Sequence, residues 1–221
     1  MDSQMKKLLA VYSLVCTCAL LLTAAGCGSD VPPAQAGAVS KLEAAGAIVK
    51  GSEDSGKVTF VDFFAVQDVP GAIVHIKALP DVETLNFNGP NTGDDELAHL
   101  AGLSGLKVLA LANTKVTDKG LAHIAGLSKL EKLTLNNCNV SDAGLVHLQN
   151  LKQLKQLHLN ETKVTDAGLD HLVGLEKLEA LMVYGTSVTP AAAAAYREKR
   201  PDTMVVTSEG ESGAGDESDG Q

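Results

Sequence analysis

Five of the six histidines, His75, His99, His123, His147 and His171, stand 24 residues apart each time. Imidazoles stacked one repeat apart could hold a transition metal or titrate together near neutral pH. A second column, Asp94, Asp118, Asp142 and Asp166, has the same spacing and the residue type of a calcium ladder. Cys138 could act as a nucleophile if His147 or His158 served as its base. Each of these has a plainer reading. Stacked imidazoles meet only in pairs, and no carboxylate or thiol repeats beside them at ligand spacing, so the histidines read as the flank of a helix. The aspartates read as the first residue of a helix, where a negative charge meets the positive end of the dipole. Cys138 occupies a place held elsewhere by Thr114, Thr162 and Thr186, which suits a small buried hydrogen-bonding side chain. Gly120, Gly144 and Gly168 stand singly and do not make a phosphate loop; close packing of a helix accounts for them. No Walker loop, HExxH pair, hydrolase elbow or dinucleotide fingerprint occurs. No catalysis, cofactor or metal site is expected. The alternatives are a metal- or thiol-dependent envelope enzyme built on the His column or Cys138, and a purely structural envelope component.

The elements that would carry these residues follow from the same period. Windows of 24 residues start at Val58, Val82, Leu106, Leu130, Leu154 and Leu178. Within one window, Leu130, Leu133 and Leu135 alternate like a short strand with one buried face, and Val140 points inward from the turn. Ser141 with Asp142, like Thr117 with Asp118 and Thr165 with Asp166, reads as a hydroxyl cap opening a helix. In the last window Thr189 precedes Pro190, and the first helical position is where proline is tolerated. Leu145 and Leu148 then share a helical face, with Leu151 closing the unit. A unit of one strand and one short helix cannot bury its leucines alone, so the units must stack and need special ends.

The windows reading LKVLALANTKVTDKGLAHIAGLSK, LEKLTLNNCNVSDAGLVHLQNLKQ and LKQLHLNETKVTDAGLDHLVGLEK resemble bacterial leucine-rich repeats of the TDxGLxHL kind. The likeness is strong in these three windows and weakens at both ends, where the first keeps only the spacing and the last exchanges GLxHL for alanines. The resemblance implies an α/β leucine-rich repeat solenoid, with parallel strands on the concave side and short helices on the convex side.

The 221 residues carry a formal charge of -9, 18 basic side chains spread along the chain, and 3% aromatics. No clustered basic face is available for phosphates and no stacking platform for bases, so nucleic acid is not an expected partner. At the amino terminus Lys6 and Lys7 precede an uncharged run over 8–29 with an apolar centre, the pattern of a secretory signal. Ala24, Ala25, Gly26 and Cys27 resemble the bacterial lipobox, with Ala24 where leucine is usual. The resemblance implies cleavage before Cys27, its acylation, and a membrane-anchored lipoprotein in the cell envelope, facing outside the cytoplasm. An uncut signal anchor is the alternative, since the run is long enough to span a bilayer. Loss of Cys16 and Cys18 with the signal and acylation of Cys27 would leave Cys138 alone, so no internal disulfide can form.

The chain therefore divides into a signal peptide (1–26), a tether (27–33), an amino-terminal cap of one helix and one strand (34–57), the six-window array (58–201), a closing strand (202–207) and an acidic, disordered tail (208–221). Behind the array Tyr196 replaces a buried leucine, and Arg197, Lys199, Arg200 and Pro201 end a helix. The third, fifth and seventh places of each window are expected to project from the concave face. Among them Phe64, Asn88, Asn136, His158, Asn160, Met182 and Tyr184 are the candidates to contact a protein or peptide partner. Phe60 and Phe64 could instead pack on the amino-terminal cap.

Overall fold

The computed structural model of the chain describes residues 33–52 and 56–207. The expected signal peptide, Cys27 and acidic tail lie outside the described residues, as does the tether apart from Pro33. That residue opens a helix, Pro33–Ala44, rather than closing the tether.

The described residues form one eight-stranded sheet with strands in chain order: β1 (Ile48–Gly51), β2 (Val58–Asp62), β3 (Thr84–Asn86), β4 (Val108–Ala110), β5 (Lys132–Thr134), β6 (Gln156–His158), β7 (Ala180–Met182) and β8 (Met204–Val206). β1 pairs antiparallel with β2, and all later pairs are parallel. The register advances by one window per strand, so Val61, Leu85, Leu109, Leu133, Leu157, Leu181 and Val205 form one file through the core. All seven are buried. A parallel strand cannot return by a tight turn, so each repeat crosses back over the convex side. There the helices are short, and three of them tighten into 3-10 turns: Val69–Ile73 runs into Val74–Ala78, Asp94–Leu97 into Ala98–Leu100, and Asp142–Leu145 into Val146–Leu148. Asp118–Ile124 and Asp166–Asp170 serve the other central repeats.

The leucine pattern explains the packing. Leu130, Leu133, Leu135, Val140, Leu145, Leu148 and Leu151 are all buried, and the neighbouring windows repeat the set. Each contributes about 1.5–3 kcal/mol on removal from water, offset by the entropy of ordering the chain. Both ends are closed by dedicated elements. The helix Pro33–Ala44 buries Val39 and Leu42, and the chain turns through Gly46 at φ 95° into β1. At the other end, the helix Pro190–Lys199 buries Ala193 and Tyr196. The Tyr196 hydroxyl donates to the Leu172 carbonyl at 3.3 Å, and burial pushes its pKa up to about 12. Thr203 Oγ1 donates to the Leu178 carbonyl, fixing the approach to β8. No helix among the described residues is long and apolar enough to cross a membrane.

One expectation about the strands needs correction. Regular pairing covers only the third to fifth places of the central windows, so the seventh place lies past the strand end on a rim and not on the concave floor. The chain turns sharply one residue later: Asn113, Asn137 and Glu161 have φ of 61°, 54° and 57°, and Gly89 and Gly185 occupy the same place. A left-handed residue cannot continue a strand.

Candidate interaction face

The face is positioned by a clamp on the convex rim of the stack. The cap hydroxyls are where the sequence places them: Thr117, Ser141 and Thr165 accept from the backbone N–H two residues on, each at 3.3 Å. The aspartates beside them do more than face the helix dipole. Asp94 accepts both the N–H and the hydroxyl of Thr117 in the next repeat at 2.7 and 2.6 Å. Asp118 does the same to Ser141, Asp142 to Thr165 and Asp166 to Thr189. Each carboxylate thus joins two repeats, and its oxygens are occupied by protein donors. The glycines follow from this. A Cβ on Gly120, Gly144 or Gly168 would overlap the carboxylate of Asp94, Asp118 or Asp142 respectively. Where Ala192 stands at the glycine place, Thr189 has opened to φ -80° and its hydroxyl lies 3.0 Å from Asp166.

The histidine column lies on the convex helices, away from the strands. Within it, His171 Nδ1 meets Gln149 Nε2 at 3.0 Å. No group of three or more His, Cys, Asp or Glu residues is gathered at metal-binding distance among the described residues. Cys138 is buried and its thiol donates to the Leu111 carbonyl at 3.0 Å, beside Thr114 Oγ1 at 3.3 Å. Thr114, Thr162 and Thr186 donate instead within their own repeats, to Leu111, Leu159 and Val183, so Cys138 reaches across to the carbonyl that Thr114 also uses. Burial pushes the Cys138 thiol pKa up, which disfavours the thiolate a nucleophile needs.

On the concave floor the third and fifth places are half-buried in β4 and β5 and become buried toward β7. His158 and Met182 are cross-strand neighbours and each is only 7% exposed. Neither is free to reach a partner without movement. His158 Nε2 has no hydrogen-bond partner, and burial, with the Lys132 ammonium on β5, pulls the imidazole pKa down to about 4. The side chain is therefore a neutral imidazole at pH 7. Phe60 is half-buried beneath Lys50, whose ammonium sits 5.6 Å from the ring, so it packs on the amino-terminal cap. Phe64 does not.

The remaining candidates share the rim. Phe64 is 68% exposed and Tyr184 53% exposed, at opposite ends of the seventh-place row. Between them Asn88, Asn136 and Asn160 are half-buried, and each side-chain oxygen accepts a backbone N–H of the following repeat: Ala112 at 2.7 Å, Asn160 at 3.0 Å and Tyr184 at 2.9 Å. These amides are scaffold as well as surface. The sequence reading missed both this use of the oxygens and the aspartate clamp. The signal was present: Asp94 and Thr117, like Asp118 and Ser141, are 23 residues apart, which puts them side by side in adjacent turns.

No protein-family model and no curated protein matches the chain. Among solved structures it is similar to internalin C2 of Listeria monocytogenes, with a TM-score of 0.50 and 25% identity over 61% of this chain and 55% of that one. The fold is a leucine-rich repeat solenoid. A leucine-rich repeat protein of Leptospira interrogans aligns at a TM-score of 0.44 and 20% identity, over 60% of this chain and 38% of that one. A plant ice-binding protein aligns at a TM-score of 0.52 and 15% identity, over 80% of this chain and 63% of that one, a likeness of fold alone. The repeat array here spans about half the length of internalin C2.

Proposed function

We propose that this chain is an exported lipoprotein, anchored by acylated Cys27, whose leucine-rich repeat array is a non-catalytic protein-interaction module presenting its strand face. One observation carries the reading: the Cys138 thiol and the aspartate carboxylates are committed to the scaffold, while the array's two largest exposed aromatics, Phe64 and Tyr184, flank the strand side. The parallel strands make a rigid platform, and rigid aromatic anchors on such a platform lose little side-chain entropy on binding. The anchor reading is supported by the Ala24–Cys27 sequence and the uncharged run before it.

A photo-crosslinking residue placed at Ala110 on the concave floor, or at Lys129 on the convex side, tests the face in a bacterial envelope. A discrete protein adduct from the first position and none from the second is expected. Equal labelling from both, or none from either, overturns the reading. Intact mass of the membrane-extracted chain beside Cys27→Ala tests the anchor, with a mature chain starting at Cys27 and carrying acyl groups as the expected result.

A further inference from the structure

The seventh-place row is regular except at one point. Each backbone N–H along it is taken by a side-chain oxygen: Phe64 N–H by Asp62 at 2.8 Å, Asn88 N–H by Asn86 at 3.0 Å, and those of Ala112, Asn160 and Tyr184 by the asparagine one repeat earlier. Ala112 has no oxygen to offer to the next repeat. Consequently Asn136 N–H has no hydrogen-bond partner among the described residues. The neighbouring residues on that repeat are small: Ala112 itself and Ala110, which ends β4. An unanswered backbone donor is costly once it is removed from water, so any partner covering this spot must supply an acceptor.

The flanking amides point to the same chemistry. A backbone N–H can be answered only by oxygen, which fixes the orientation of Asn88, Asn136 and Asn160. Their Nδ2 groups are left without partners among the described residues. The row thus presents donors, one from the main chain and three from side chains, between two exposed aromatic rings.

We propose that this rim binds an extended peptide segment, one of whose backbone carbonyls takes the place of the oxygen missing at Ala112 and accepts the Asn136 N–H. Apolar side chains of the peptide pack against Phe64 or Tyr184. The proposal rests on the interaction-module reading and moves the contact from the concave floor to the carboxyl ends of the strands. A peptide carbonyl is an acceptor only and suits a donor row. A glycan hydroxyl also carries a proton to place, and each asparagine oxygen of the row already accepts one backbone N–H. Strands about 4.8 Å apart place Phe64 and Tyr184 about 24 Å from each other, a distance that about seven extended residues cover.

Ala112→Asn is the discriminating variant, because it supplies the missing oxygen without removing any contact. Amide hydrogen exchange on the detergent-solubilised full chain should show Asn136 exchanging far faster than Ala112, Asn160 and Tyr184, and slowing by about tenfold or more in the variant. The urea midpoint should not fall. Peptides selected by the wild-type chain from a displayed library of random twelve-residue sequences should bind Ala112→Asn at least tenfold more weakly, and Phe64→Ser or Tyr184→Ser should weaken them too. If the selected peptides bind Ala112→Asn unchanged but are lost on Thr134→Arg, the partner sits on the concave floor: the rim is overturned and the interaction module stands. Selection of no peptide, or binding of N-acetylglucosamine oligomers in its place, overturns the peptide assignment, and the crosslinking experiment then decides the broader reading.

Discussion

Replacing Gly144 with alanine sets a methyl group against the carboxylate that joins two repeats. The new Cβ would overlap Asp118 Oδ1 and lie 3.0 Å from Leu121 Cδ1 and 3.2 Å from the Asp118 Cα. Backbone cannot yield there, so the carboxylate must swing away from Ser141, whose N–H and hydroxyl it holds at 2.7 and 2.6 Å. Hydrogen bonds to a charged group contribute about 1.5–3 kcal/mol each. Losing two costs about 3–6 kcal/mol, and alanine returns about 1 kcal/mol in helix propensity. Ser141 is half-buried, so water replaces part of what is lost, and the expected net destabilisation is about 2–3 kcal/mol. Urea unfolding of Gly144→Ala beside Gly126→Ala reads this directly. Gly126 has open space where a Cβ would go, so its substitution should be neutral or stabilise by up to about 1 kcal/mol. The decisive comparison is Gly144→Ala in an Asp118→Ala background, where most of the cost should vanish because no carboxylate remains to be displaced. A Gly144→Ala protein as stable as wild type, or a cost unchanged by removing Asp118, would refute the clamp.

Stability should fall in mild acid on account of His158. Its pKa is about 4 in the folded chain and about 6.5 when unfolded, so unfolding takes up a proton between those values. The contribution is fully present above about pH 6.5 and lost as the pH drops toward 4, the loss reaching about 2 kcal/mol at pH 5. His158→Gln should flatten that part of a urea-midpoint profile, and an unchanged slope would remove His158 as its source. Cys138→Thr exchanges the thiol's bond to Leu111 for the bond within its own repeat that Thr114 and Thr162 make, so stability should stay within about 1 kcal/mol. The native thiol should react with a disulfide reagent only after denaturant is added; prompt reaction would revive a reactive cysteine. Tyr196→Ala empties the buried slot in the carboxyl-terminal cap and should cost about 3–5 kcal/mol by thermal or urea unfolding. A loss below about 1 kcal/mol would mean that the end of the stack does not need that ring.

The concave candidates divide according to distance along the window. Phe64 and Tyr184 remain exposed where the residue pattern places them, whereas His158 and Met182, one strand apart, shelter each other and are buried. Outward direction in a strand says only which side a side chain leaves from. How much water it meets depends on the neighbours in the adjacent strands. The asparagines show the same limit. Their spacing is visible in the chain, yet the partner of each oxygen is a backbone N–H one turn of the solenoid away.

A 24-residue period in histidine, aspartate, glycine and leucine was enough to determine that the chain stacks strand-and-helix units, which positions are core, and which hydroxyls cap helices. These are local or periodic properties: a leucine recurring at fixed places must find the same environment in each turn, and a cap bonds within its own residue neighbourhood. Tertiary structure alone decided what happens between turns. Asp118 reaches Ser141 and excludes any side chain from Gly144, and the lack of an oxygen at Ala112 leaves Asn136 N–H open. Contacts of that kind depend on strand register and on angstrom-scale approach, which a one-dimensional pattern carries as a spacing but does not convert into a distance.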